Sequence, residues 1–318
     1  MGGENRSADQ RRQDRRHGGI RTNAIAAAMA ATPATPAIPA TTNAPIGVFD
    51  SGVGGLSVLR HIRAQLPHEH LLYFADAAFA PYGDKPERVI AERSLAIAGF
   101  LVAHGAKALV VACNTATVAA IKLLRAHYPL MPIVGVEPGL KPGAAASRNG
   151  QVGVLATDGT LAGEKFQRLL EQISQSSNAR IAPRFLLQGC TGLADQIELG
   201  ELDSDATALM LARYITPLLD QGADTLVLGC THYPLVLAAI ERLIAKTTPR
   251  RIVLVDTGEA VARQLARLLA AAGIDRADDG EPALLAGYTS ASATALQAAF
   301  SALLGLAVTV QAVAIGKN

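Results

Sequence analysis

The chain has 318 residues, half of them apolar, with aromatics at only 4% and no Trp. That length allows about two domains with a mainly aliphatic core, and the shortage of rings argues against a single-strand nucleic-acid binder, which stacks bases on aromatic faces. The net charge is +2, but six Arg against three acids in residues 1–21 carry the excess, so the rest of the chain is near neutral and offers no basic face to a phosphate backbone.

Residues 1–45 join an Arg-rich head (Arg11, Arg12, Arg15, Arg16) to an Ala/Thr/Pro tract that holds Pro33, Pro36, Pro39 and Pro45. Prolines at that density interrupt helices, and the tract has no apolar stripe. It is expected to be a disordered extension, with Met29 as an alternative start. From Ile46 onward, short β-branched runs alternate with longer amphipathic ones. Residues 46–49, 71–76, 108–112, 132–136, 151–155, 225–229 and 251–255 read as buried parallel strands. Glu87–His104, Ala116–His127, Ser204–Leu219, Pro234–Lys246 and Glu259–Ala271 read as helices. Such alternation predicts an α/β fold with helices on both faces of each sheet. No apolar run approaches the ~18 residues of a membrane span. Three cysteines, Cys113, Cys190 and Cys230, fit a reducing compartment with thiols kept for chemistry, not a disulfide framework.

The chain repeats itself. Lys107–Thr115 aligns with Asp224–His232, which sets Cys113 on Cys230. Pro132–Gly139 aligns with Arg251–Gly258, and Ile46–Phe49 with Val152–Leu155. Three pairings in one order predict two similar α/β halves. In such sheets ligands bind beyond the carboxyl ends of the strands, so a cleft between the halves would set the two thiols across from each other.

Cys113 and Cys230 each follow a strand and precede a helix. A helix N-terminus favours thiolate over thiol, so one thiol pKa is expected to fall to roughly 6–7.5. Inverting a carbon that carries an acidic hydrogen needs a base on one face and an acid on the other, a task for two opposed thiols. Cys as a small buried hydrophobe is the simpler reading for a single thiol; two at equivalent repeat positions favour chemistry. Cys230 and His232 could also be two metal ligands, but no partner pair has a zinc-site spacing. The turn Asp50-Ser51-Gly52-Val53-Gly54-Gly55 lacks the spacing of a dinucleotide fingerprint and the Lys of a P-loop. Its Asp50 suits an ammonium group or a catalytic partner, or forms an Asx-type turn. Thr157 and Thr160, after a strand, could bind a carboxylate or cap a helix.

Four motifs in order resemble the glutamate racemases of the aspartate/glutamate racemase superfamily. They are Phe49–Gly55, Phe74-Ala75-Asp76 with Pro81-Tyr82-Gly83, Ala112–Ala116, and Leu228–Pro234. The resemblance implies two α/β domains with mostly parallel sheets and the active site in the cleft between them. It implies a first domain of residues 46–137 and 253–318, a second of 138–252, and residues 1–45 outside both. It casts Cys113 and Cys230 as catalytic thiols that take the proton from D- and L-glutamate respectively, assisted by Asp50 and His232. Glu198 is the matching acid eight residues after Cys190, with Glu201 as fallback; Thr191 and Asp195 depart from the family pattern there. Asp50, Ser51, Tyr82, Gly83, Asn114, Thr115, Thr231 and His232 match glutamate-binding positions. The resemblance further implies a cytoplasmic isomerase without metal, pyridoxal phosphate or nucleotide. It would supply D-glutamate for peptidoglycan, and so for cell-wall biogenesis and cell shape, as a homodimer open to activation by a cell-wall precursor. Its rivals are an aspartate or hydantoin racemase, and a non-catalytic amino-acid binder.

Overall fold

The computed structural model describes residues 41–175 and 182–316. The expected extension lies outside them except for Thr41–Pro45, and those five residues correct the expectation. Ala44 donates its N–H to the Thr41 carbonyl, and the buried Lys107 ammonium donates to the Thr42 carbonyl. The folded part therefore includes residues 41–45.

The strands are β1 Ile46–Asp50, β2 Leu71–Ala75, β3 Ala108–Val111, β4 Ile133–Gly135, β5 Gln151–Ala156, β6 Arg184–Gly189, β7 Thr225–Leu228, β8 Val253–Val255, β9 Leu285–Thr289 and β10 Thr309–Ala312. The helices are α1 Leu56–Gln65, α2 Glu87–Ala103, α3 Asn114–His127, α4 Leu140–Ala146, α5 Asp158–Ala162, α6 Glu164–Gln175, α7 Leu193–Glu198, α8 Asp205–Asp220, α9 Leu237–Thr247, α10 Gly258–Ala272 and α11 Ala293–Leu304. No helix among the described residues is long and apolar enough to cross a membrane.

Two sheets form, in the orders β10-β9-β2-β1-β3-β4 and β6-β5-β7-β8. Every pairing is parallel. The order β2-β1-β3-β4 is repeated as β6-β5-β7-β8, so the aligned segments of the sequence occupy matching places. Strands covered on both faces must be apolar at successive positions, and β1, β3 and β7 are buried throughout. Their side chains divide with the period of two. Ile46, Val48, Ala108 and Val110 enter one core layer with α1 and α10, while Phe49, Leu109 and Val111 enter another with α2 and α3. In the second sheet Leu226 and Leu228 face one layer, and Val152, Val154 and Val227 the other.

The chain lays down β1–β4, builds the whole second sheet, then returns for β9 and β10. The expected division after residue 252 is too early. β8 pairs with β7, so residues 253–255 belong to the second sheet, and α10 then packs on α1 beside the first. The expected helix over Pro234–Lys246 begins instead as a 3-10 turn, Tyr233–Val236, before α9.

Candidate active site

Cys113 follows β3 and Cys230 follows β7, the equivalent strands of the two sheets. Both thiols are buried and both line a cavity of about 30 Å³ between the lobes. Ser51, Tyr82, Gly83, Asn114, Thr115, Glu198, Thr231 and His232 line the same cavity. Asp50 alone of the expected site residues lies behind that lining, fully buried at the end of β1. Glu201 is exposed and does not line the cavity, whereas Glu198 does.

The glycine-rich turn explains how the lobes approach so closely. Asp50 Oδ2 accepts the N–H groups of Gly52 and Gly55, which folds the turn as an Asx-type loop. Asp50 Oδ1 takes the Thr231 hydroxyl from the other lobe at 3.4 Å. The next amide of the turn, Val53 N–H, reaches across to the Glu198 carboxylate at 3.0 and 3.1 Å. A Cβ on Gly52 would sit 2.3 Å from Glu198 Oε1, and one on Gly54 would sit 2.5 Å from His232 Nδ1. The glycines thus make room for two side chains of the opposite lobe, not for a phosphate. Alanine at Gly54 must displace the His232 ring or the Thr231 hydroxyl, which a Cβ there would meet at 2.5 and 2.7 Å, so Gly54→Ala is expected to lower kcat/KM for racemisation about 10²-fold. Progress curves followed by circular dichroism check this, and an unchanged rate would mean that the His232 placement is dispensable.

The two thiols sit in different electrostatic settings. Cys113 is the N-cap of α3 and accepts the Ala116 N–H at 3.4 Å. Its own S–H reaches the Ser51 hydroxyl at 3.9 Å. The helix end was expected to lower a thiol, but Cys113 goes the other way. Burial pushes it up, the Asp50 charge adds to the rise, and the single amide bond does not offset them. Cys230 is followed by the 3-10 turn Tyr233–Val236 and not directly by an α-helix; His232 Nδ1 lies 3.6 Å from its sulfur. His232 Nε2 lies 2.7 Å from Glu198 Oε2. Burial works against the imidazolium, yet the hydrogen bonds to Cys230 and Glu198 outweigh it and hold His232 well above its ordinary 6.5. Burial likewise pushes Glu198 up, and the bonds from His232 and Val53 outweigh it and bring it below its ordinary 4.5. Burial raises Asp50 against the pull of His232 and its two amide bonds. Cys190 packs in the second lobe's core, where burial pushes it up to about 12.

Asn114 is 5% exposed, and neither its amide oxygen nor its amide nitrogen has a protein partner. A buried amide left open in this way is costly unless a ligand completes it. Thr157 caps α5 through the Thr160 N–H, and both hydroxyls meet Thr115 across the cleft at 3.1 and 3.2 Å. Both also line the cavity. Three contributors were not read as part of the site, Asp195 having been noted only as a departure from the family pattern. Asp195 lines the cavity one turn before Glu198, and that i, i+3 spacing on α7 was its signal. The Val53 amide left no signal, because backbone groups carry none. The Ser57 hydroxyl donates to the Thr231 carbonyl at 2.8 Å and looks like any polar residue near a helix start.

The family model for Asp/Glu/hydantoin racemases matches residues 46–265. A glutamate racemase of Stutzerimonas stutzeri is 53% identical over 227 residues, covering 71% of this chain and 82% of that protein. The chain belongs to the glutamate racemases of this family. One from Ralstonia nicotianae is 50% identical over 273 residues, covering 86% of this chain and 94% of its own length. Among solved structures, Escherichia coli glutamate racemase in complex with L-glutamate and the activator UDP-MurNAc-Ala aligns with a TM-score of 0.72 at 31% identity, over 86% of this chain and 99% of that one. A Bacillus anthracis glutamate racemase isoform aligns at 0.75 and 28% identity, over 86% and 98%. The two-lobed fold is therefore that of the glutamate racemases.

Proposed function

We propose that this enzyme interconverts L- and D-glutamate by transferring protons between two thiols on opposite faces of the α-carbon. The observation that carries this reading is the pair of buried sulfurs on equivalent strand ends, facing one cavity from two lobes. In the L-to-D direction, Cys230 as thiolate takes the α-proton, and the C–H electron pair stays on the α-carbon beside its carboxylate. Cys113, held as a neutral thiol by burial and by Asp50, delivers its proton to the other face. Cys113 is then the thiolate and Cys230 the thiol, the arrangement that the D-to-L direction needs. His232, raised by its hydrogen bonds to Cys230 and Glu198, faces the Cys230 sulfur as its proton-handling partner, and Asp50 manages the proton of Cys113. Ser51, Asn114, Thr115, Thr231, His232 and the Tyr82-Gly83 turn supply neutral and cationic donors for the substrate. Donors arranged before the reaction stabilise the developing charge best in a site closed to water.

The first lobe, whose described residues are 41–137 and 256–316, and the second, 138–255, act as the two jaws. Supply of D-glutamate to peptidoglycan in the cytoplasm, response to a cell-wall precursor nucleotide and assembly as a homodimer complete the proposal. The E. coli structure with its activator supports the second of these. For a metal held by Cys230 and His232 a third ligand is needed, and among the described residues no group of three or more His, Cys, Asp or Glu converges in that way.

Circular dichroism of L-glutamate incubated with the purified chain tests the reading. The signal is expected to decay to zero, to do so equally after EDTA treatment, and to respond to added UDP-MurNAc-Ala. Inversion of aspartate in place of glutamate would move the chain to another branch of the family. Glutamate binding without inversion would make it a binding protein.

A further inference from the structure

Tyr82 reaches the cavity on a loop with little regular structure, two single 3-10 turns at Ala77–Phe79 and Tyr82–Asp84. A buried chain of charge-assisted hydrogen bonds holds it. The Tyr82 hydroxyl donates to Asp76 Oδ2 at 2.6 Å. Arg93, on α2, clasps the same carboxylate through Nε at 3.0 Å and Nη2 at 2.6 Å. Asp76 is fully buried, and its N–H donates to the Asp50 carbonyl, so the carboxylate is anchored beside the catalytic end of β1. The guanidinium lies over the Phe79 ring, 3.8 Å from its centroid. Its remaining nitrogen, Nη1, donates to the carbonyl of Ile315 at 3.0 Å.

Ile315 lies beyond β10, where the chain keeps the line of that strand through a Val313 N–H to Thr289 carbonyl bond. Val313 and Ile315 pack on the core layer that contains Tyr82 and Cys113. We propose that this C-terminal segment is a positioning strap for the glutamate-binding loop, acting through Arg93 and Asp76 on Tyr82. The proposal rests on the glutamate reading for its kinetic test only. The Ile315 carbonyl satisfies the last buried face of the guanidinium. Without it, Arg93 must turn towards water, and a fork that turns cannot keep both bonds to Asp76. Asp76 then loses its register with the Tyr82 hydroxyl, and the turn that carries Tyr82 and Gly83 drifts from the substrate. The strap touches neither thiol, so its loss should weaken binding and leave proton transfer alone.

The test compares the full chain with a chain ending at Ala314, with Arg93→Lys, and with both changes together. Truncation is expected to raise KM for L- and D-glutamate about tenfold, the lower end of the effect of one lost hydrogen bond to a charged group, with kcat within about twofold. In the Arg93→Lys background, truncation should add little, because the two changes cut one connection. Amide hydrogen exchange at Ala77–Lys85 should quicken in the truncated chain, and that readout needs no substrate. If the full chain does not invert glutamate, the activity reading falls, and the exchange result still decides the strap. An unchanged KM with unchanged exchange, or independent effects of truncation and Arg93→Lys, would overturn the strap.

Discussion

Alanine at Cys113 or at Cys230 is expected to abolish inversion of glutamate, lowering kcat/KM in both directions by at least about 10³-fold, the upper part of what one acid or base contributes. Each replacement only trades a sulfur for hydrogen in a buried pocket, so the fold should survive. The remaining thiol can still take a proton and return one on its own face. In deuterated water, Cys113→Ala should therefore exchange the α-proton of L-glutamate without making D-product, and Cys230→Ala should do the same with D-glutamate. NMR of the α-position reads exchange and chirality together. A single-thiol variant that racemises near the parent rate would leave the other thiol a bystander.

The second large effect concerns Cys230's partners. His232→Asn removes the cation that faces the Cys230 sulfur and is expected to cost about 10²-fold in kcat/KM for L-glutamate. Glu198→Gln should cost less and shift the pH profile. Cys230 and Glu198 together hold His232 above its ordinary value, so without the Glu198 charge His232 loses its proton at lower pH and the alkaline limb of the profile moves down. Stability follows the same linkage. His232's raised pKa contributes stability that is full below about 6.5 and lost as pH climbs through the raised value. Glu198's lowered pKa contributes stability that is full above about 4.5 and lost as pH falls through the lowered value. The melting-temperature gap between parent and Glu198→Gln should thus be widest between those two values. A gap that does not vary with pH would contradict the pairing.

Much of this site was legible because its chemistry lies where a parallel sheet must place it. The apolar runs before Cys113 and Cys230 are buried on both faces, so they are strands, and residues just past their carboxyl ends meet at the cleft. The repeat was visible for β1, β3 and β4 because their partners β5, β7 and β8 are equally apolar. It was invisible for β2 and β6: Arg184-Phe-Leu-Leu-Gln-Gly is an edge strand with half-exposed positions, and its polar ends hide the likeness. The strands β9 and β10 were missed for a related reason. One carries a glycine in its middle, and the other is a four-residue edge with three exposed positions.

Electrostatics was the least legible layer. A helix end lowers a thiol that faces water, but Cys113 is buried beside Asp50, and desolvation outweighs the dipole. The link from Glu198 to Val53 spans 145 positions of sequence and uses a backbone N–H. Only the glycines around Val53 hinted that something had to approach there.

Proton transfer between opposed thiols is tested most directly by the isotope in the first product formed. L-glutamate carrying protium at the α-carbon is mixed with the parent enzyme in deuterated water, and the earliest D-glutamate is analysed by mass spectrometry. Two thiols on opposite faces predict that this D-glutamate carries deuterium throughout, delivered by Cys113 from solvent, while the unreacted L-glutamate keeps its protium. D-glutamate that retains the substrate's own proton would mean that one group serves both faces, and it would contradict the two-thiol account.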